Sequence, residues 1–428
     1  MPRIIKAPRG TFDILPEEAS AWRALEKAAR EVSERYGYGE IRTPLVEETR
    51  LFVRGIGDTT DIVEKEMYTF EGKGRDDSTS LRPEGTAGVV RAYIEHAYHK
   101  TAPLQKFYYI GPMFRYERPQ AGRQRQFNQI GVEVLGTYAA EADVETIALA
   151  FDIFRAAGLD DVRLKLNSIG CRNCRPSYRD VVKGFIGGRV DRLCGDCKRR
   201  YERNIFRVLD CKVDTCRALI ADIPEVEEYL CEECARHFAR VKDLLDALGI
   251  PYVKEKFLVR GFDYYTRTVY EMAHPALGAR DAVGGGGRYD YLIEDLGGPP
   301  LGAVGFSIGM EATLLALKNS RQARAGDEGT IGCLVAVVDQ AVAVEAFKQL
   351  AAVRAAGVSA EMDFEGKSVK AQMRAANKRQ ASVVVIIGPD EIAAGRARIK
   401  DMASGEEKTV LLASLTDAVK AILDKPKA

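Results

Sequence analysis

Arginines and acids crowd the stretch Phe114–Glu133, FRYERPQAGRQRQFNQIGVE, where Arg115, Arg118, Arg123 and Arg125 surround a glycine-containing turn between two strand-like arms. Planar guanidinium forks suit the oxygens of a phosphate or carboxylate, where lysine would act only as a point charge. In the returning arm Ile130, Val132 and Val134 alternate with Gln129, Gly131 and Glu133. A strand's two-residue period sends the aliphatics to one face and Gln129 with Glu133 to the other. The first reading is therefore a cleft that holds an anion near the turn and presents a carboxylate and an amide further in.

Three other segments carry chemistry-bearing residues. LRPEGT, residues 81–86, puts Arg82 and Glu84 ahead of a helix with Thr86 placed as a cap; a plain helix start is the competing reading. RGFDYY, residues 260–265, gathers Arg260, Asp263, Tyr264 and Tyr265, although tyrosine pairs more often pack than bind. GGGGRYD, residues 284–290, is more specific: a glycine run has no packing value and suits backbone that must approach something closely. With no Lys after it and no βαβ setting, it is not a phosphate loop of the GxxxxGK type.

Of nine cysteines, eight fall in pairs: Cys171 with Cys174, Cys194 with Cys197, Cys211 with Cys216, and Cys231 with Cys234. The first two pairs read C-x2-C-x19-C-x2-C, the spacing of a structural tetrathiolate zinc site, and Cys211 and Cys216 are less well spaced for one. Free thiols in a helical insertion are the competing reading, disulfides being disfavoured in a cytosolic chain. A metal here would stiffen the insertion and take no part in catalysis. Cys333, alone in a strand-like run, reads as a small core residue.

The elements that must position these residues follow from patterning. At 428 residues the chain exceeds a single core, so two or three domains are expected. The net charge, 63 − 62 = +1, favours no polyanionic partner by itself. Residues 171–217 nevertheless hold 13 Lys or Arg against 6 Asp or Glu, an excess that could seat a phosphate backbone or form a solvated face. No apolar leader and no run long enough to span a bilayer is visible, which reads as cytoplasmic. Pro16, Glu17 and Glu18 open a helix whose Trp22, Leu25, Ala29, Val32 and Tyr36 recur at helical spacing. Ile41, Thr43 and Leu45 alternate through a Pro44-containing edge strand. Residues 105–111 and 129–136 read as antiparallel strands, and 258–272 as a further hairpin. The sheet pattern lapses over 170–250, where an inserted module is expected. After a hydrophilic linker at 319–329, buried strand runs 334–338 and 383–387 bracket helices near 341–356 and 368–378, the alternation of a small α/β domain.

Together these segments resemble the histidyl-tRNA synthetases, a class II aminoacyl-tRNA synthetase family, over nearly the whole chain. The Pro44 strand is similar to the first class motif, a dimer element; FRYERPQAGRQRQFNQIGVE to the second; and GPPLGAVGFSIGMEATLLAL, residues 298–317, to the third. LVRGFDYYTRTVYE and AVGGGGRYD resemble the two histidine-specific signatures, and EGKSVKAQMRAANKRQASVVVIIGPDE the anticodon-binding domain.

The resemblance implies an α+β multidomain fold: an antiparallel catalytic sheet flanked by helices over 1–328, a mainly helical insertion at 170–250, and a C-terminal α/β anticodon-binding domain over 329–428. It implies activation of histidine with ATP and Mg²⁺ and transfer to the 3′ end of histidine tRNA by a cytoplasmic homodimer. Metal ligation is not a general feature of the family. By correspondence with the family's motifs, Arg115 and Arg260 take catalytic roles, and Glu84, Gly85, Thr86, Gln129, Glu133, Arg260, Tyr264, Tyr265 and Tyr289 bind histidine. Arg115, Arg123 and Phe127 meet ATP, while Arg118 and Gln120 approach the tRNA acceptor end.

One position departs from the pattern. Ala312 follows Glu311 where the third motif carries an arginine for the ATP γ-phosphate, leaving Arg280 or Arg288 to compensate. The alternative this raises is a weakened regulatory paralogue that binds histidine without aminoacylating; such paralogues usually lack the anticodon domain and the histidine signatures found here.

Overall fold

The computed structural model describes residues 4–58, 60–72, 78–120, 122–278, 281–320 and 330–424, so most of the expected 319–329 linker lies outside the described residues. The chain divides into two compact units, the larger of residues 1–14 and 21–324 and the smaller of 15–20 and 325–428.

The helix Pro16–Arg35, which belongs to the larger unit from residue 21 on, begins at the expected proline, has Glu17 and Glu18 in its first turn, and buries the stripe Trp22, Leu25, Ala29 and Val32. That stripe packs on one face of an eight-stranded sheet. The sheet order is Gly39–Glu40, Gln105–Phe114, Gln126–Leu135, Ala303–Gly309, Ala282–Arg288, Thr266–Ala273, Arg163–Ser168 and Tyr252–Lys254. Its central strands are antiparallel and only the two outermost pairings are parallel. On the helix-covered face Ile130, Val132, Val134, Tyr270, Met272, Val304 and Phe306 meet the helices Ala140–Ala157 and Glu232–Ala247. Each fully buried aliphatic side chain there contributes about 1.5–3 kcal/mol. The opposite face is aromatic and polar.

Two expectations fail in this unit. Residues 41–45 form no strand: Gly39–Glu40 alone pairs with the sheet, Ile41 donates its N–H to the Tyr108 carbonyl, and Val46–Glu48 joins a separate three-stranded sheet. Pro44 has no N–H to give a ladder, which suits a connection between two sheets. Nor is 258–272 a hairpin; 258–265 is a loop, and the strand Thr266–Ala273 pairs with Ala282–Arg288 on one side and Arg163–Ser168 on the other.

Between the strands Arg163–Ser168 and Tyr252–Lys254 the chain leaves the sheet for short helices, Arg175–Gly187, Gly195–Arg203 and Asp214–Ile220, around their own core of Tyr178, Val182, Ile186, Val208 and Ile220. In the smaller unit a five-stranded sheet is ordered Ala360–Met362, Cys333–Val337, Val383–Ile387, Arg396–Asp401 and Glu407–Leu411, parallel then antiparallel. The helices Ala343–Ala355 and Leu415–Leu423 cover one face, and Val369–Lys378 packs on the other through Ala376. Cys333 is buried among Val335, Leu350 and Val383, a core residue as expected. Among the described residues no helix is long and apolar enough to cross a membrane.

Candidate active site

The pocket is built on the polar face of the strand Gln126–Leu135. Glu133 is buried, and its carboxylate accepts hydrogen bonds from Thr86 Oγ1 at 2.7 Å, Tyr109 Oη at 3.3 Å and the Tyr289 hydroxyl. Burial is the largest influence on it and pushes its pKa up to about 8 despite those three donors. Glu84, also buried, accepts from the backbone N–H groups of Thr86 at 2.6 Å and Ala87 at 2.9 Å. It therefore caps the helix Thr86–Glu95, the role expected of Thr86, while the Thr86 hydroxyl turns to Glu133. Burial again raises the Glu84 pKa, opposed by these donors. Among the described residues neither acid has a basic side chain bonded to it, so the inner end of the pocket is set for a cationic or N–H-rich ligand. Gln129, on the same face, donates to Ser307 Oγ, and its buried Oε1 has no partner among the described residues.

Glycine is required where these groups crowd. A Cβ on Gly131 would stand 2.0 Å from the Tyr109 ring, one on Gly85 2.3 Å from the same ring, and one on Gly305 1.9 Å from the Glu133 carboxylate. In the glycine run, a Cβ on Gly286 would meet the Gly305 carbonyl at 2.2 Å, and one on Gly285 the Arg260 guanidinium at 2.6 Å. The run thus lets two strands close together and lays Arg260 across them.

Aromatic rings form the wall. Tyr264 lies 4.7 Å from Tyr265, 5.1 Å from Phe262 and 5.5 Å from Tyr289, ring centre to ring centre. At the mouth Arg115 stands 5.1 Å from the Phe127 ring and 5.5 Å from Phe262, with its Nε donating to the Pro83 carbonyl at 2.9 Å. Arg260 reaches Glu271 at 3.5 Å, lies 5.9 Å from the Tyr265 ring, and has a buried Nε with no hydrogen-bond partner among the described residues. The site is polarised, acids within and guanidiniums at the opening.

Of the expected residues, Glu84, Gly85, Thr86, Glu133, Tyr264, Tyr265, Tyr289, Arg260, Arg115 and Phe127 form one connected cluster, with Gln129 on its floor. Arg118, Gln120 and Arg123 lie apart in the 115–125 loop, where Arg118 and Arg123 are exposed and Arg123 sits 3.8 Å from Glu117. Arg125 is not a free anion fork: it lies 3.7 Å over the Tyr116 ring and donates to the Glu117 carbonyl. Sequence reasoning missed Tyr109, whose place opposite Gly131 in the ladder was the available signal, and Ser307. Asn128 was also missed; its backbone and side-chain N–H groups both donate to Glu311.

Two further expectations are corrected. Arg288 cannot compensate for Ala312, because it is fully buried and its donors are engaged by Asp143, Asp290 and the carbonyls of Thr137 and Ala139. Arg280 lies outside the described residues. Nor do Cys171, Cys174, Cys194 and Cys197 meet as one tetrad. Cys171 and Cys174 gather with Cys231 and Cys234, and Cys194 and Cys197 with Cys211 and Cys216. Part of the basic excess of 171–217 is internal, Arg172 pairing with Asp295, Arg203 with Glu64, and Arg207 with Asp61.

Comparison with known proteins places this arrangement. A histidyl-tRNA synthetase profile matches residues 10–172 and 205–313, and an anticodon binding domain profile matches 332–422. The histidine–tRNA ligase of Natranaerobius thermophilus is 49% identical over 98% of this chain and 99% of its own length. That of Moorella thermoacetica is 48% identical over 96% of each. A crystal structure of apo histidyl-tRNA synthetase from S. aureus superposes with a TM-score of 0.81 at 36% identity, covering 97% of this chain and 100% of that one. The chain belongs to the histidyl-tRNA synthetase family.

Proposed function

We propose that this chain activates L-histidine with ATP and transfers it to the 3′ end of histidine tRNA. In the first step a histidine carboxylate oxygen attacks the α-phosphorus, the bond to the β-phosphate oxygen breaks, and pyrophosphate leaves. In the second, a terminal ribose hydroxyl attacks the adenylate carbonyl and AMP leaves. Both reactants of the first step are anionic at the reacting atoms, so fixed cations do the work of a catalyst here.

The observation that carries this reading is the polarity of the pocket. Glu84, Glu133 and the open Gln129 Oε1 suit the amino group and the imidazole nitrogens of histidine. Thr86 and Tyr289 hold Glu133, and Gly85 and Tyr264 with Tyr265 shape the walls. Arg115 and Arg260 at the mouth face the place where the carboxylate and α-phosphate meet. Phe127, beneath Arg115, offers a stacking surface for adenine. Mg²⁺ would travel with the nucleotide and offset phosphate charge; the carboxylates of Glu66 and Glu117, whose charges act on Arg115, are of the oxygen-donor type it takes.

Ala312 lies against the turn next to Arg123, its Cα 3.8 Å from where a Cβ on Gly122 would stand, and Arg123 is assigned to ATP. Arg118, exposed, and Gln120, half-buried, both in the 115–125 loop, are assigned to the tRNA acceptor end, where phosphate contacts position and base contacts specify. The catalytic domain extends over 1–328 around the 170–250 insertion, and 329–428 forms the anticodon-binding domain. The working protein is a cytoplasmic homodimer.

A regulatory paralogue finds no support, since the curated relatives match end to end as ligases and the anticodon domain is present. Histidine-dependent exchange of labelled pyrophosphate into ATP, with several amino acids compared, tests the assignment. Exchange with histidine alone is expected; histidine binding without exchange would return the reading to the regulatory paralogue.

A further inference from the structure

We propose that the eight paired cysteines form two separate tetrathiolate zinc sites, one closing the neck of the insertion and one inside it, which together hold the insertion against the catalytic unit. The first comprises Cys171, Cys174, Cys231 and Cys234, and the second Cys194, Cys197, Cys211 and Cys216; within each, the four sulfurs lie within 4.8 Å of one another.

The geometry selects the metal. Four thiolates at about 2.3 Å from a tetrahedral zinc stand about 3.8 Å apart. Here Cys171 Sγ lies 3.7 Å from Cys174 Sγ and 3.9 Å from Cys231 Sγ, Cys174 Sγ 3.8 Å from Cys234 Sγ, and Cys194 Sγ 3.9 Å from Cys211 Sγ. A disulfide needs about 2.05 Å. A four-iron cluster places each cysteine on a different iron and so spreads the sulfurs further. Backbone amides point at the sulfurs as they do around thiolate ligands: Cys171 N–H to Cys174 Sγ at 3.1 Å, and Cys194 N–H to Cys216 Sγ at 3.2 Å. Arginines flank the first site, Arg172 lying over Tyr291 and Arg175 next in sequence to Cys174, which suits a centre of net negative charge.

Each site has a distinct mechanical place. Cys171 follows the strand Arg163–Ser168 as the chain leaves the sheet, and Cys231 precedes the helix Glu232–Ala247 as it returns, so one ion ties the entry of the insertion to its exit. The second ion would fix the helix Gly195–Arg203 to the turn after Val208. That stretch meets the catalytic unit on two sides. Arg203 bonds Glu64 and Arg207 bonds Asp61 ahead of Glu66, while Asn204 bonds Asp263 in the loop that carries Arg260, at 2.8 Å. Cys174, Cys194 and Cys197 fall in residues 173–204, between the two stretches matched by the family profile, while the other five paired cysteines lie within those stretches.

Elemental analysis of the full chain, purified without chelator, is expected to give two zinc ions per chain. All nine cysteines should titrate as thiols after denaturation with chelator present. Cys234→Ser and Cys197→Ser should each retain one ion. Should a variant fail to fold, the wild-type protein supplies the second measurement: exchange with Co²⁺ should develop the absorption of tetrahedral cobalt thiolate over two equivalents. No metal, a single ion, disulfides in the denatured chain, or loss of both ions from either variant would overturn the proposal. Because none of these readouts depends on turnover, their failure is separable from failure of the synthetase assignment.

Discussion

At the residue scale the site turns on Glu133, a carboxyl group on which burial holds the proton. Glu133 has a folded-state pKa of about 8 against an ordinary 4.5, with burial the main cause. A raised acid favours the folded state only while protonated, so its contribution is full below about pH 4.5 and is lost as pH rises through 8. Glu133→Gln should flatten that slope: urea denaturation should find the wild type losing stability relative to the variant between pH 5 and 9, by on the order of a few kcal/mol. The same substitution removes a carboxyl partner from the pocket proposed for histidine and should raise the KM for histidine about 10- to 100-fold, on roughly 1.5–3 kcal/mol for a hydrogen bond to a charged ligand group. Arg260→Ala should lower kcat for pyrophosphate exchange by about two to three orders of magnitude at nearly unchanged stability, by analogy with loss of one oxyanion donor. Normal turnover would remove Arg260 from the reacting centre. Ala312→Arg tests the departure from the family pattern: if a γ-phosphate contact is absent, the KM for ATP in exchange should fall about tenfold or more. An unchanged KM would mean that Arg123 or another group already supplies it.

At the element scale, what aligns the pocket strands is a buried ion network behind them. Arg288, the last residue of the glycine strand, is fully buried and joins Asp143 on the helix Ala140–Ala157 to Asp290, one residue beyond Tyr289. Burial alone would raise the Asp143 pKa, but Arg288 and then His237 overcome it and hold it at about 2. A depressed acid gives stability that is present above its unfolded pKa of about 4 and is lost as pH falls toward 2. Asp143→Asn should therefore cost about 3 kcal/mol at neutral pH, the lower end for a broken buried pair because Asp290 still partners Arg288, and the loss should shrink in acid; denaturation midpoints at pH 7 and 3 measure both. Sequence pattern disclosed the strands where alternation and burial agree, as along Ile130, Val132 and Val134, and the helix Pro16–Arg35 from its proline and acidic first turn. It misassigned 258–265 because alternating side chains there face different neighbours, Tyr264 toward the pocket and Asp263 toward Asn204, without any ladder. The cysteines misled in a similar way: short linear spacing favours neighbouring pairs, since a short loop costs less entropy to close. The sheet frame instead brings Cys231 and Cys234 to Cys171 and Cys174. Arg288 reads as a ligand residue from its GGGGRYD setting, and only its depth shows otherwise.

At the scale of the whole molecule the two chemical steps draw on different parts of the chain. Every residue assigned to histidine, from Glu84 to Tyr289, lies in the larger unit, while the smaller unit has its own core around Val335, Leu350, Val385 and Ile399. Activation needs histidine and ATP, and on the proposed assignment the guanidiniums at the pocket mouth; tRNA selection needs, in addition, a surface that meets the anticodon far from the acceptor end. Binding through two such sites gains from effective concentration, so removing one weakens capture of the tRNA without touching the other's chemistry. A chain ending at Ser320 should then keep histidine-dependent pyrophosphate exchange near the full-length rate. Its kcat/KM for charging histidine tRNA should fall by about two orders of magnitude or more, chiefly through KM. A proportional loss of exchange and charging would mean that the smaller unit supports the pocket itself, and the division of labour would have to be redrawn around a catalytic unit that is incomplete alone.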